Sequence, residues 1–126
     1  MKYLGVDYGL KKMGLAISEG INASPFKILE ITSLKDALEK VSYVISSEEI
    51  DKVIIGVSES GESRKITLDF IKGLKGKGIE VIEVEETLSS IEARERMVEL
   101  GSSKKSRKKD DSVSASIILQ NYLDSL

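Results

Sequence analysis

The chain contains no cysteine and no histidine. The first absence rules out disulfides and thiolate metal sites. The second rules out serine–histidine triads, histidine-ligated zinc and imidazole acid–base catalysis. Acid–base or metal chemistry must therefore rest on Asp, Glu, Lys, Tyr or bound water. Proline occurs once, as Pro25. No apolar run approaches the ~20 residues that span a bilayer. The opening MKYLGVDYG has no signal-peptide core and starts directly on strand-like residues. Together these features predict a soluble protein of the cytoplasm with no membrane partner.

What is present fits one globular unit. The 126 residues are 40% hydrophobic and 32% charged, a balance suited to a single domain with one core. Net charge is -2, so there is no global pull toward nucleic acid. The charges are unevenly placed, however. Lys104, Lys105, Arg107, Lys108 and Lys109 form a dense basic run, followed at once by Asp110 and Asp111. Such a patch can grip phosphates even on a mildly acidic chain. The stretch from Ser102 to Lys109 has no apolar residue and reads as a flexible loop.

Hydrophobic periodicity gives the order of elements. Tyr3 to Val6 reads as a strand, Lys12 to Ser18 as its hairpin partner across a turn at Gly9, and Phe26 to Ile31 as a third strand. Leu34, Ala37, Leu38, Val41, Val44 and Ile45 then recur at helical spacing behind a cap at Ser33 or Thr32. Lys52 to Val57 is a continuous apolar strand, typical of a sheet covered on both faces. A helix follows Ser63, with Ile66, Phe70, Ile71 and Leu74 inward, and stops near Gly76 and Gly78. Ile79 to Val84 is another strand. A helix from near Ser89, with Glu92 completing a capping box, runs to Gly101. The last helix runs from about Asp111, with Ala115, Ile118, Leu119 and Tyr122 on one stripe. The expected fold is α/β: a five-stranded mixed sheet, antiparallel over the first three strands and parallel after them, with helices on both faces.

That topology raises a question about carboxylates. Asp7 leaves the first strand near its carboxyl end, on the face of Gly5 and opposite Leu4 and Val6. Sites in open α/β sheets gather at the carboxyl ends of parallel strands. Glu59, Glu85 and Glu86 reach that edge from later strands. Asp111 falls on the inward stripe of the last helix, whereas Asp110 is better placed as a cap. Asp7, Glu86 and Asp111 could thus converge, and their repulsion calls for a hard divalent cation, Mg²⁺ or Mn²⁺. Two such ions about 4 Å apart can activate water and stabilise a leaving oxygen in phosphodiester cleavage. Each residue also has an ordinary reading: Asp7 as a turn former, Glu86 as a solvated strand end, Asp111 as a cap, the basic run as a solvated loop. Only the combination points to a site.

Four segments carry a family resemblance over essentially the whole chain. GVDYGLKKMGLAIS, IDKVIIGV, VEETLSSIEAR and KKSRKKDDSVSASIILQNYL resemble, in order, the opening hairpin, a central strand, an acidic signature and the basic loop with final helix of the YqgF/RuvX family. That family is described as Holliday junction resolvases or pre-16S ribosomal RNA nucleases with an RNase H-like fold. The resemblance puts Asp7 on the first acidic position, Glu85 and Glu86 on the acidic pair, and Asp111 on the last. Two departures stand out. GVSESGES replaces a Gly-Leu-Pro and Asn-containing loop, and Thr87 replaces the signature arginine.

The resulting expectation is one RNase H-like nuclease domain over residues 1–126 that acts on structured RNA (pre-rRNA) or branched DNA. Asp7, Glu86 and Asp111 would hold the ions, with Glu59, Glu85 and Asp110 in reserve. Lys104, Lys105, Arg107, Lys108 and Lys109, helped by Lys11 and Lys12, would neutralise phosphates. Processing of the 5′ end of pre-16S rRNA is the implied role. Junction resolution is the alternative and would favour a homodimer over a monomer. Two further rivals are an actin-like ATP-binding lobe and a non-catalytic nucleic-acid-binding or ribosome-assembly protein.

Overall fold

The computed structural model describes residues 1–85 and 110–126, with residues 110 and 111 described at the backbone. The expected helix from Ser89 to Gly101 and the loop at 102–109 lie outside the described residues. The described elements run β1 (Tyr3–Tyr8), β2 (Lys12–Ser18), β3 (Ser24–Glu30), α1 (Leu34–Ser47), β4 (Lys52–Val57), α2 (Gly61–Gly76), β5 (Val81–Glu85) and α3 (Asp110–Asp124). The strands form one five-stranded sheet in the order β3-β2-β1-β4-β5. β1 pairs antiparallel with β2, as β2 does with β3. β4 lies parallel to β1, and β5 parallel to β4. The mixed sheet expected from the sequence is the sheet observed.

Several boundaries differ, each for a local reason. β1 continues past Val6 to Tyr8 because the hairpin register carries pairing through Asp7↔Gly14 and Tyr8↔Met13. Asp7 is therefore inside the ladder, not beyond its end. β3 starts at Ser24 and includes Pro25. It is an edge strand, where a residue without an N–H is tolerated. α2 begins at Gly61, two residues before Ser63; its polar first turn, GESR, gives no apolar signal. β5 begins at Val81 because the Ile79 N–H is still donated to the Leu74 carbonyl at the end of α2, at 3.2 Å.

Capping fixes the start of α1. The Ser33 hydroxyl accepts from the Asp36 N–H at 3.1 Å, and the Asp36 carboxylate accepts from the Thr32 N–H at 2.9 Å. These bonds satisfy donors that the first turn leaves open. Ala37, Val41 and Val44 form the buried stripe of this helix.

Two apolar layers sandwich the sheet. Leu4, Val6, Leu15, Val53 and Ile55 face α1 and α2 and pack with Val41, Phe70 and Leu74. On the other face, Ala16 and Ile54 pack with Ala115, Ile118 and Leu119 of α3. Helices therefore cover both faces, as the periodicity predicted. Each fully buried Leu or Ile contributes about 1.5–3 kcal/mol relative to exposure.

Candidate active site

Asp7 is the fifth residue of β1 and is half-buried. Strand alternation places it with Gly5 on the α3 face, opposite Leu4, Val6 and Tyr8. Its partner on β2 is Gly14. On the other side the register runs Gly5↔Ile54 and Val6↔Ile55, so one further step brings Asp7 level with Gly56. Gly56 in turn pairs with Val84 of β5. Asp7 thus carries the only side chain across three neighbouring strands at its level. Gly14 and Gly56 are themselves buried.

The direction of α3 follows from its contacts with β1. The rings of Tyr3 and Tyr122 meet edge-on, with centroids 5.9 Å apart. Two residues on, Gly5 lies against Ala115 and Leu119, where a Cβ would stand 2.8 Å from the Ala115 carbonyl oxygen. Moving forward along β1 therefore means moving backward along α3. The first turn of α3, which holds positions 110 and 111, lies toward the carboxyl end of β1. Asp110 is the first helical residue of α3. Ser112 and Ser114 in the same turn are 7% and 3% exposed.

The reserve carboxylates fall differently. Glu59 is exposed in the link between β4 and α2, at the same sheet edge as Asp7. That link is held by Arg64, which donates to the Ser58 carbonyl at 3.0 Å, and by a 3.1 Å bond between the Ser58 and Ser63 hydroxyls. Glu85 ends β5 and is exposed. In β5, Ile82 and Val84 join the α3 layer, and Glu83 pairs with Lys75 of α2 at 4.0 Å. Alternation puts Glu85 with Glu83, on the face away from Asp7. Glu86, Lys104, Lys105, Arg107, Lys108 and Lys109 lie outside the described residues. Lys11 and Lys12 are exposed in and beside the β1–β2 turn.

Among the described residues, no group of three acidic side chains could hold a metal ion. Two of the three expected ligand side chains, those of Glu86 and Asp111, are not among them. The donor chemistry is nonetheless coherent: carboxylates alone, with neither thiolate nor imidazole, suit a hard divalent cation. The glycine-flanked setting of Asp7 fits such an ion.

Sequence reasoning missed Gly14 and Gly56. Each is a glycine inside a strand pattern, a signal of close approach by a ligand or backbone. It also missed Tyr8, which follows Asp7 and points to the opposite face. The Tyr8 ring stacks on Phe70, with centroids 4.3 Å apart and planes 7° apart. Burial, and secondarily the Asp69 carboxylate, push its phenol above the usual value.

Comparison with known proteins decides the family. The family described as "RuvX: Holliday junction resolvase" matches residues 1–125. The chain belongs to the RuvX family. A relative from Sulfurihydrogenibium sp. (strain YO3AOP1), named "Putative pre-16S rRNA nuclease", is 36% identical over 99% of this chain and 91% of its own length. Two solved structures share the fold over 99% of this chain. RuvC of T. thermophilus, solved with a Holliday junction substrate, has a TM-score of 0.66 at 13% identity and is covered over 94% of its length. The Fowlpox virus resolvase, solved with Holliday junction DNA, has a TM-score of 0.63 at 20% identity and is covered over 98%. The RuvX chain therefore has an RNase H-like fold, as the sequence resemblance implied.

Proposed function

We propose that this RuvX protein is a metal-dependent nuclease that hydrolyses phosphodiester bonds in structured RNA, with the 5′ end of pre-16S rRNA as its substrate. The observation that carries this reading is the setting of Asp7: a half-buried carboxylate at the end of the central strand, flanked by Gly14 and Gly56, below the start of α3.

In this reading Asp7, Glu86 and Asp111 hold Mg²⁺ or Mn²⁺. When bound, a divalent pair lowers the pKa of a water and offsets charge on the phosphate and leaving oxygen. The chain's own residues do the rest. Gly14 and Gly56 keep side chains away from the phosphate at Asp7. α3 carries position 111 toward the end of β1. Lys11, Lys12 and the run from Lys104 to Lys109 hold the nucleic-acid backbone through phosphate contacts that do not depend on sequence. Glu59 stands at the same edge as a further carboxylate. No described helix is long and apolar enough to cross a membrane, and the proposed site of action is the cytoplasm.

The family description, which names a Holliday junction resolvase, favours a second reading, cleavage of four-way DNA. That reaction needs two symmetric cuts and hence a homodimer, whereas trimming one RNA end needs only a monomer. Labelled precursor rRNA and a four-way DNA junction, each incubated with protein and Mg²⁺ or Mn²⁺, separate the readings. Cleavage of the RNA at its 5′ flank, with the junction intact, is the expected result. Paired nicks in the junction alone would replace the RNA assignment with resolution. Binding without cleavage of either would leave a non-catalytic protein.

A further inference from the structure

At the end of β1, on the opposite face of the sheet from Asp7, lies a hollow of about 240 Å³. Tyr8 reaches it from β1 and Leu10 from the following turn; Ser33 and Leu34 reach it from the start of α1, and Ile66 and Asp69 from α2. Leu10 and Leu34 are 70% and 40% exposed, and with Ile66 they belong to neither core layer. They form apolar surface that the fold does not use. Among them stand the hydroxyls of Tyr8, Thr32 and Ser33 and the carboxylate of Asp69; the Ser33 hydroxyl is already engaged by the Asp36 N–H. The stack on Phe70 locks the Tyr8 ring, and its phenol O–H can donate. The exposed Asp69 carboxylate is an acceptor.

We propose that this hollow receives one unpaired nucleobase of the substrate strand, whose exocyclic amino group donates to Asp69 while a ring acceptor takes the Tyr8 hydroxyl. The inference rests on the nuclease reading above. Size supports it: the volume is below the several hundred Å³ of drug-sized sites and suits a single ring system. Position supports it too. Asp7 and Tyr8 are consecutive, with Cα atoms about 3.8 Å apart. A strand with a phosphate at Asp7 therefore has a neighbouring base within reach across the sheet rim, and Lys11 stands beside Leu10 to meet its backbone. Bases splayed from single-stranded segments are read in this way, by apolar or aromatic contact and hydrogen bonds to their edges. Cytosine and adenine present an amino donor beside a ring acceptor. Uracil presents carbonyls on both sides of its single N–H, and these repel a carboxylate.

The test is methyl NMR of the full chain, labelled at Leu and Ile, titrated with tetranucleotides of C, A or U without metal. The expected result is movement of the Leu10, Leu34 and Ile66 methyls, saturating with C or A at about tenfold lower concentration than with U. Asp69→Asn should abolish that preference, and Tyr8→Phe, which keeps the Phe70 stack, should weaken binding of C and A toward that of U. Unmoved methyls, equal response to U, or a preference that survives Asp69→Asn would overturn the proposal. Cleavage assayed on the same protein keeps the two readings apart. Cleavage with unmoved methyls removes the base site alone. Base preference without cleavage removes the nuclease reading alone.

Discussion

Gly5 of β1 lies directly against Ala115 of α3. A Cβ on Gly5 would stand 2.8 Å from the Ala115 carbonyl oxygen and 2.8 Å from the Leu119 Cβ. Neither neighbour is the free end of a flexible side chain, so α3 must move to admit even a methyl group. Because α3 carries position 111 toward Asp7, this contact sets both the stability of the α3 layer and the geometry of the proposed site. Gly5→Ala should cost about 1–3 kcal/mol of stability through overpacking, read by denaturant unfolding. At temperatures where the variant is fully folded, its cleavage rate should still fall, because the start of α3 is displaced.

The glycines beside Asp7 make a different prediction. Gly14 and Gly56 lie inside strands, where replacement by Ala removes unfolded-state freedom and is not intrinsically costly. In Gly56→Ala and Gly14→Ala, a methyl would stand beside the Asp7 carboxylate. Single-turnover cleavage should drop on the order of 10²-fold, the scale of a small misplacement of reacting groups. Melting temperature should change by only a few degrees. Equal loss of stability and activity would mean that these glycines serve packing alone.

Much of this could be read from the sequence, and the exceptions have physical causes. β2 and β4 match their expected bounds because an alternating or continuous apolar run marks a strand without help from its surroundings. The α1 cap was visible at Ser33 or Thr32 because a hydroxyl residue stands just before the helical run; the bond from the Thr32 N–H to the Asp36 carboxylate was not. The placement of Asp7 inside β1 was not visible, because hairpin register is set by pairing across Gly9 to Lys12 and not by β1 itself. The glycine row Gly14, Gly56 was hidden for the same reason: it exists only once two inter-strand registers are fixed. The separation of Glu85 from Asp7 depends on where β5 begins, and that depends on how α2 ends.

The basic run tests the phosphate-binding part of the reading. Neutralising Lys104, Lys105, Arg107, Lys108 and Lys109 together should weaken binding of all sequences alike. It should also flatten the plot of log affinity against log salt, by about 0.7–0.9 for each phosphate that is no longer neutralised. An unchanged slope would assign phosphate binding to other residues, Lys11 and Lys12 first.

The cap of α1 predicts a pH dependence. The Asp36 carboxyl is held below its usual value, first by the Thr32 N–H and then by Lys40. A depressed folded-state pKa stabilises the fold above the unfolded value, and that contribution fades as pH falls through the folded one. Wild-type melting temperature should therefore decline as pH drops below about 4. Asp36→Asn should start lower at neutral pH and show a shallower acid decline. A parallel decline in both proteins would remove Asp36 from the account.

The central claim is that Asp7 is a metal-holding carboxylate of a nuclease. The most direct measurement is the single-turnover cleavage rate of precursor rRNA as Mg²⁺ or Mn²⁺ is titrated, for wild type and for Asp7→Asn. The account predicts saturable metal dependence in the wild type. It predicts a rate lower on the order of 10³-fold in Asp7→Asn, with RNA affinity retained. Cleavage by Asp7→Asn at the wild-type rate, with the same metal dependence, would contradict it.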